Sequence, residues 1–206
     1  MLDLEKLKAI QTELAKKVVI NNNIKKVETI AGYDIVGVNE NEHCCSVVVL
    51  EFPSLKLIDK VSRIEKIQLP YAPGYQAFRE GPILVNTFAE LKEKPDILMI
   101  KGHGISHKRR IGVASQIGLQ LNIPTIGIAQ KKIDGEIKGD KLFFKDEVRA
   151  VLIKTHNHAN PIIVSPGHLI SLNKSVDITK QCIVSPHKLP EPLFIAHKIG
   201  NKKKKS

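Results

Sequence analysis

Apolar residues at helical spacing alternate along this chain with shorter runs that have the pattern of strands. The first segment shows the helical pattern, since Leu7, Ile10, Leu14 and Val18 would share one face, with lysines between them. Beyond it come three strand patterns, then helices and short apolar runs in turn. The predicted helices are 4–18, 76–93, 109–121 and 171–183. The predicted strands are 27–39, 44–52, 55–67, 96–100, 124–129, 148–154 and 161–165.

This order of elements predicts an α/β fold. Three antiparallel strands precede the strand–helix units, which favours a mixed central sheet with helices on both faces. The run "DILMI" (96–100) is almost wholly apolar, as expected of a buried central strand. With no internal repeat or linker, residues 1–200 are predicted to form a single domain. The final segment, "NKKKKS" (201–206), is predicted to be a disordered basic tail.

Charge narrows the choice of partners. Among 206 residues, 32 are Lys or Arg and 21 are Asp or Glu, which gives a formal net charge of +11. This excess favours polyanionic partners, nucleic acid before an anionic membrane surface. Three cysteines form neither an even disulfide framework nor a CxxC metal pattern, and no apolar run reaches the length of a membrane span. The expectation is a soluble, cytoplasmic protein.

Three residues near the ends of predicted elements are candidates for chemistry. Asp34 interrupts an apolar strand, where a carboxylate is costly unless it is paired or binds a cation. Glu80 lies just inside the helix that follows the Pro/Gly loop "QLPYAPG", and Lys101 ends the strand 96–100. Ends of central strands share one crevice, where paired carboxylates could hold the divalent ions of a nuclease. A lysine does not belong to such a set.

A second candidate is the stretch "IKGHGISHKRRIG" (100–112). Two glycines bracket His103, His107 follows, and the basic triplet 108–110 opens the predicted helix. Cations at a helix start oppose its dipole, which favours a phosphate contact. The plainer interpretation is a tight turn with solvated histidines, in which glycines supply positive φ. Residue patterns alone leave both interpretations open.

Longer motifs carry a resemblance to a known family. The segments "AGYDIVG", "PYAPGYQAFREGP", "PDILMIKGHGISHKRRIGVASQIGLQLNIPTIGIAQ", "VSPGH" and "KLPEPLFIAH" follow one another at characteristic spacing. Together, from about residue 3 to residue 199, they resemble the endonuclease V family, the deoxyinosine 3′ endonucleases. The resemblance implies an RNase H-like, three-layer α/β/α fold with a mixed central sheet. It also implies a Mg²⁺-dependent nuclease of nucleic-acid repair or processing that acts on DNA or RNA containing deaminated adenine.

The resemblance also implies roles for single residues near the scissile bond. Asp34 matches the metal-binding carboxylate of the family's strand, and Glu80 matches the glutamate that helps to position metal and water. His197 matches a histidine near the active site in part of the family. Tyr71, with its neighbours Pro73 and Gly74, matches an aromatic wedge that fills the gap left when the altered base turns out of the stack.

Other residues would contact the nucleic acid. The turn of Gly102, His103 and Gly104 matches the lining of the pocket for the flipped base, where glycines would let backbone N–H groups approach the purine. The candidates for further contacts are His107, Arg109 and Arg110.

Three positions depart from the family pattern. Lys101 stands where the family has aspartate, Gln130 where it usually has lysine, and Phe194 where it has arginine. The first departure removes a metal ligand and adds a cation, so the local charge changes by two units.

Three functions therefore remain open. The protein is a working nuclease in which Asp34, Glu80 and His197 hold Mg²⁺ or Mn²⁺, or a catalytically impaired nucleic-acid-binding pseudoenzyme. In the second case Lys101 would replace the ion by pairing with Asp34 and Glu80. A structural role for the basic surface is the third. DNA or RNA with deaminated bases is the expected partner, and the protein is expected to be a monomer.

Overall fold

Nine strands form one mixed sheet in the computed structural model, which describes residues 3–67, 69–131, 134–157 and 159–204. The strand order across the sheet is β3-β2-β1-β4-β5-β9-β8-β7-β6. The elements in chain order are α1 (Leu4–Ala15), β1 (Thr29–Gly37), β2 (Glu42–Glu51), β3 (Leu57–Lys66), α2 (Gln76–Ala89), β4 (Ile97–Lys101), α3 (Val113–Leu121), β5 (Thr125–Ala129), β6 (Glu136–Lys138), β7 (Lys141–Phe144), β8 (Glu147–Ile153), β9 (Ile162–His168), α4 (Leu172–Gln181) and α5 (Glu191–Lys204).

The pairing of the strands confirms the predicted mixed sheet. β1, β2 and β3 form an antiparallel meander, and β4 and β5 are added in parallel beside β1. β9 returns antiparallel to β5, and β8, β7 and β6 continue to the far edge in antiparallel pairs. The parallel strands β1, β4 and β5 thus lie near the middle, and their carboxyl ends meet at one edge.

Helices cover both faces of this sheet. α4 and α5 pack against one face, α2 and α3 against the other, and α1 lies on α3. Successive residues of β1 serve the two faces in turn, because side chains alternate along a strand. Ile30 belongs to the core beneath α4 and α5, whereas Ala31 and Tyr33 belong to the core beneath α2 and α3. Asp34 therefore points to the α5 face.

All four predicted helices are shorter than the sequence pattern suggested, since α1 ends at Ala15 instead of residue 18 and α4 spans Leu172–Gln181 instead of 171–183. α3 begins at Val113 instead of residue 109, because Arg110 has the left-handed φ of +59° and breaks any helix there. α2 ends at Ala89 instead of residue 93. Asp59 accepts the backbone N–H groups of Lys92 and Glu93, which turns the chain out of the helix.

Three elements were not predicted: the short strands β6 and β7, and the helix α5. The prediction of a disordered tail from residue 201 is wrong for 201–204, which continue α5, while 205 and 206 lie outside the described residues. The Asn201 side chain bonds to the helix, and Gly200 packs against β1 and β2. Lysines in the last turn also complement the helix dipole.

No helix in the described part of the chain is both long enough and apolar enough to cross a bilayer.

A close approach at Gly32 fixes α5 on β1. A Cβ atom at Gly32 would collide with the backbone of Pro192 and Leu193, whereas a Cβ at Gly37 on the same strand would meet no atom within 4 Å. Gly32→Ala should therefore lower the free energy of unfolding by about 1–3 kcal/mol. Gly37→Ala should change it by less than about 0.5 kcal/mol. Urea denaturation of both variants tests this packing, and equal losses would contradict it.

Candidate active site

The register of the parallel strands brings the first two candidates to one level. Gly32 of β1 pairs with Met99 of β4, so Asp34 and Lys101, two residues further along each strand, lie side by side. Lys101 in turn pairs with Ile128 of β5. The carboxyl edge of the central strands, where the sequence predicted a crevice, thus carries Asp34 and Lys101 together.

Asp34 is the centre of a polar cluster. Its side chain is only 4% exposed, and both carboxylate oxygens have partners. Oδ1 lies 3.2 Å from Nζ of Lys101, and Oδ2 lies 2.7 Å from Nδ1 of His197 on α5. The amide nitrogen of Asn201, one turn further along α5, lies 2.9 Å from Nε2 of the same imidazole. Nδ1 therefore carries the proton that His197 donates to Asp34.

Glu80 approaches from the opposite face of the sheet. It accepts a hydrogen bond of 3.3 Å from the Tyr33 hydroxyl, and it shares a cavity of about 190 Å³ with Asp34 and Lys101. Burial raises the pKa of the Glu80 carboxyl, although the Tyr33 hydroxyl opposes that rise. Burial, with nearby Glu80, also raises the pKa of Tyr33 well above 10.0, so the phenol keeps its proton and donates it.

The arrangement does not fit a divalent ion as it stands. An ammonium and an imidazole N–H occupy the two oxygens of Asp34, and the described residues contain no group of three or more His, Cys, Asp or Glu side chains suited to a metal. A divalent ion about 4 Å from the Lys101 ammonium would meet a repulsion of about 8 kcal/mol at an effective dielectric of 20, before solvent screening. The lysine therefore opposes the ion at this carboxylate.

A larger cleft of about 370 Å³ adjoins this cluster. Tyr71, which is 62% exposed, stands at it with Pro73 and Gly74 of the Pro/Gly loop. Lys101 and Gln76 line both the cleft and the smaller cavity beside Asp34. Among the described residues, the lining is Tyr71, Pro73, Gly74, Gln76, Lys101, Gly102, His103, His107, Lys108, Ile128, Ala129, Gln130 and Lys131.

The glycine turn meets this cleft only in part. Gly102 and His103 line it, but Gly104 packs against β9, where a Cβ atom would collide with the carbonyl of Pro166. The N–H of Gly102 donates to Ile128 O and that of Gly104 to Ser165 Oγ, both at 2.9 Å. The expectation that these two N–H groups read a purine edge is wrong, because both are already bonded within the protein.

Arg109 and Arg110 are bonded within the protein as well. Arg109 donates to Gln11 and to the carbonyl of Gly74, and its guanidinium lies 4.5 Å from the centre of the Tyr75 ring. Arg110 is paired with Glu147 at 2.9 Å. The inference of a phosphate contact from cations at a helix start also fails, since both residues precede α3.

His107 is buried in the wall of the cleft. Burial, with nearby Arg109, lowers the pKa of His107 from 6.5 to about 3, so its imidazole is neutral at physiological pH. Nδ1 accepts a bond of 3.3 Å from the backbone N–H of Arg109, which leaves the proton on Nε2. That nitrogen has no hydrogen-bond partner among the residues that the structure describes. A buried donor without a partner is costly. Nε2 lies under Gly74 of the Pro/Gly loop, whose ideal Cβ position is 3.0 Å away.

The other two departures from the family pattern lie apart from each other. Gln130 is exposed and lines the cleft. Phe194 stacks on the His187 imidazole, with ring centres 3.4 Å apart, and His187 bonds to Glu191 at 2.8 Å. Where the family has arginine, this chain therefore has an aromatic ring that stacks on the loop before α5.

Three residues of this site were missed by the sequence analysis. Tyr33 precedes Asp34 and bonds to Glu80; an aromatic hydroxyl on an otherwise apolar strand was the available signal. Gln76 begins α2 and reaches both cavities, which its position does not reveal. Asn201 follows His197 by four residues, a spacing that places it on the same face only if α5 is recognised as a helix.

The molecule is thus an α/β protein with a mixed sheet, helices on both faces and one buried carboxylate, Asp34, on a central strand. The family model described as endonuclease V matches residues 12–198. Endonuclease V of Thermosipho melanesiensis is 37% identical over 209 residues, which cover 98% of this chain and 91% of the relative. The chain therefore belongs to the endonuclease V family, whose members are metal-dependent endonucleases that generally use a divalent ion.

Solved structures agree with this assignment. Human ENDOV has a TM-score of 0.87 at 26% identity, and 98% of each chain is covered. Endonuclease V of Ciona intestinalis, in complex with a DNA that contains an inosine followed by a ribo-adenosine, has a TM-score of 0.87 at 28% identity, covering 98% of this chain and 97% of that one. The predicted RNase H-like fold is confirmed.

Burial of His107 predicts a pH dependence of stability. Above pH 6.5 neither state binds a proton at this residue, whereas below it the unfolded chain is protonated and the folded chain resists until about pH 3. Its stabilising contribution is thus complete above pH 6.5 and is lost as the pH falls towards 3, by up to about 1.4 kcal/mol per unit. Urea titrations at several pH values should show a shallower decline for His107→Gln. The exposed His156→Gln is the control, and parallel curves for wild type and His107→Gln would refute the assignment.

Proposed function

We propose that this protein is an endonuclease V that recognises deaminated adenine in DNA or RNA and hydrolyses a nearby phosphodiester. One observation carries the proposal: the 370 Å³ cleft and the Asp34–Glu80 cavity share Lys101 and Gln76. The volume of the larger cleft lies within the range of small-molecule sites, about 300–1,000 Å³. A base held in the cleft would therefore carry its sugar–phosphate backbone past Asp34.

Recognition of the base rests on the wall of the cleft. Hypoxanthine has a carbonyl oxygen where adenine has an amino group, so a fixed donor would distinguish the two. The partnerless Nε2–H of His107 would be such a donor once the loop at Gly74, which covers it, moves aside, and its low pKa keeps the ring from acting as a cation. The exposed ring of Tyr71 provides a surface that could take the place of the flipped base in the stack.

Phosphate binding rests on cations that are not consumed by internal pairs. Arg109 and Arg110 are committed to protein partners, which leaves Lys108 and Lys131 on the rim of the cleft. The last turn of α5, with Lys203 and Lys204, adds positive charge on the helix that carries His197. The formal net charge of +11 would make binding strongly dependent on salt.

For the metal we propose Mg²⁺ or Mn²⁺, with Asp34 and Glu80 as the available carboxylates. Carboxylate oxygens are the ligands that these ions prefer. Because Lys101 occupies one oxygen of Asp34, we expect this protein to bind the ion less tightly than a chain with aspartate at that position.

The alternative of a binding protein that does not cut has one observation in its favour, the ion pair between Lys101 and Asp34. The comparisons add nothing to it, since the relatives reported above are named as endonucleases. We further propose that the protein acts as a cytoplasmic monomer.

Strand cleavage tests the proposed function directly. Oligonucleotides with a single deoxyinosine or inosine should be cut in Mg²⁺ or Mn²⁺, and matched strands with adenine should remain intact. Asp34→Asn should abolish cutting, because it removes the carboxylate at the centre of the cluster. Intact inosine strands at every metal concentration, with inosine-specific binding retained, would favour the alternative instead.

Removal of the Tyr71 ring tests recognition separately from cutting. Tyr71→Ala should weaken binding to an inosine-containing strand by about 1–3 kcal/mol, the scale of one lost base–aromatic stack. The control is Ile137→Ala, an exposed apolar side chain of β6 that is 43% accessible and does not line the cleft. Fluorescence anisotropy measures both, and an equal effect of the two variants would show that Tyr71 does not contact the base stack.

A further inference from the structure

We infer that the Lys101 ammonium substitutes for the divalent cation in holding the target strand, so that this protein binds deaminated nucleic acid without metal. The inference rests on the proposed function and deepens it. It concerns binding and leaves the hydrolysis step aside. Its basis is the disagreement between the family's ion and the side chains around Asp34.

The residue at position 101 sets the formal charge of the site. A site with carboxylates at positions 34, 80 and 101 would carry a formal charge of −3 and would repel a phosphate unless cations bound first. With Lys101 present, Asp34 and Glu80 leave a formal charge of −1. An internal cation therefore does part of what bound metal does in a three-carboxylate site, namely reduce the repulsion between the acidic cluster and the strand.

The Lys101 ammonium lies where a phosphate of the target strand could reach it. Lys101 ends β4 between the two cavities, and its side chain is 46% exposed although its ammonium touches the buried Asp34. A lysine ammonium has three N–H donors, and the bond to Asp34 Oδ1 uses one of them. The remaining donors can therefore serve a phosphate oxygen of a strand whose base occupies the larger cleft.

Contacts from α5 hold the Asp34 carboxylate in place. The second oxygen of Asp34 is bonded to His197, which is itself bonded to Asn201. This chain of contacts fixes the carboxylate from the α5 side, so the carboxylate is a fixed anchor for the ammonium. A pre-positioned cation loses less side-chain freedom when the phosphate arrives than a freely moving surface lysine would.

Binding in the presence and absence of metal tests the inference. The probe is a labelled oligonucleotide with one deoxyinosine, compared with the same strand carrying deoxyadenosine, at constant ionic strength in EDTA and in Mg²⁺. The full chain should bind the inosine strand with affinities within about twofold in the two buffers, since Lys101 is always present. Lys101→Asp should lose about tenfold or more in EDTA and recover in Mg²⁺, because repulsion then requires a bound ion.

Two variants separate the site from its surroundings. Lys154→Asp makes the same change in net charge at an exposed position just beyond β8, and it should weaken binding equally in both buffers. Lys101→Arg keeps a cation and should keep binding in EDTA. A metal-dependent rise in melting temperature should be larger in Lys101→Asp than in the wild type at the same ion concentration, which gives a readout independent of nucleic acid.

The outcomes distinguish this inference from the proposed function. If the wild type prefers inosine only in Mg²⁺, Lys101 does not replace the ion and the inference is overturned, while the proposed function stands. If the wild type shows no preference for inosine in either buffer, the proposed function fails and the inference falls with it. If the wild type and Lys101→Asp respond alike to EDTA, the ammonium is irrelevant to the strand and the inference is again wrong.

Discussion

A buried carboxylate on a central strand is the constraint around which this site is organised. Asp34 is almost wholly enclosed, and an unpaired charge in such a place would cost several kcal/mol. Compensation comes from two directions, an ammonium from the neighbouring strand and an imidazole from the helix above it. The position of α5, the close packing at Gly32 and the orientation of Lys101 all serve this one requirement. Any ion that binds at Asp34 enters a site whose charge is already partly balanced.

The same site shows how a family scaffold tolerates a change at a ligand position. Replacing an acid by a base beside Asp34 could have left two unsatisfied charges. The lysine instead pairs with the carboxylate and keeps nearly half of its side chain in solvent. Glu80, which bonds to Tyr33 from the other face of the sheet, shares the cavity with this pair and remains within reach of the Lys101 charge. The neighbouring cleft, with His107 and Tyr71, is built mostly by other elements, but Lys101 lines it as well, so the charge at position 101 acts on both cavities.

Periodicity predicted most of the fold because most elements carry one buried face. The strand "DILMI" and the helix around Leu84 and Phe88 are examples in which burial determines the pattern. It failed at α5, whose sequence "EPLFIAHKIGNKKK" mixes one proline, one glycine and several lysines and has only a weak apolar stripe. It also failed at β6, where every residue is exposed and no alternation exists.

The candidate site, like the fold, could be predicted only in part. Asp34 and Lys101 could be placed together from strand ends alone, whereas His197 came only through the family resemblance. Gly104 was misplaced, and the internal bonds of Arg109 and Arg110 were missed, because residue type does not reveal an internal partner. Gln11, Glu147 and Pro166, which occupy them, come from distant parts of the chain. Contacts of that kind depend on tertiary packing, and a single sequence does not encode them in any local pattern.

The distance along the chain between Asp34 and His197 has a consequence for biosynthesis. The two residues are 163 positions apart, so β1 leaves the ribosome long before the helix that covers it. Until α5 docks, the acid of β1 lacks its imidazole partner and the groove over Gly32 is open to water or to other polypeptides. Contacts between such distant segments form late, since loop closure must be paid before they reward it. A nascent chain of this protein would thus remain inactive, and in need of protection from aggregation, until its C-terminal helix has emerged.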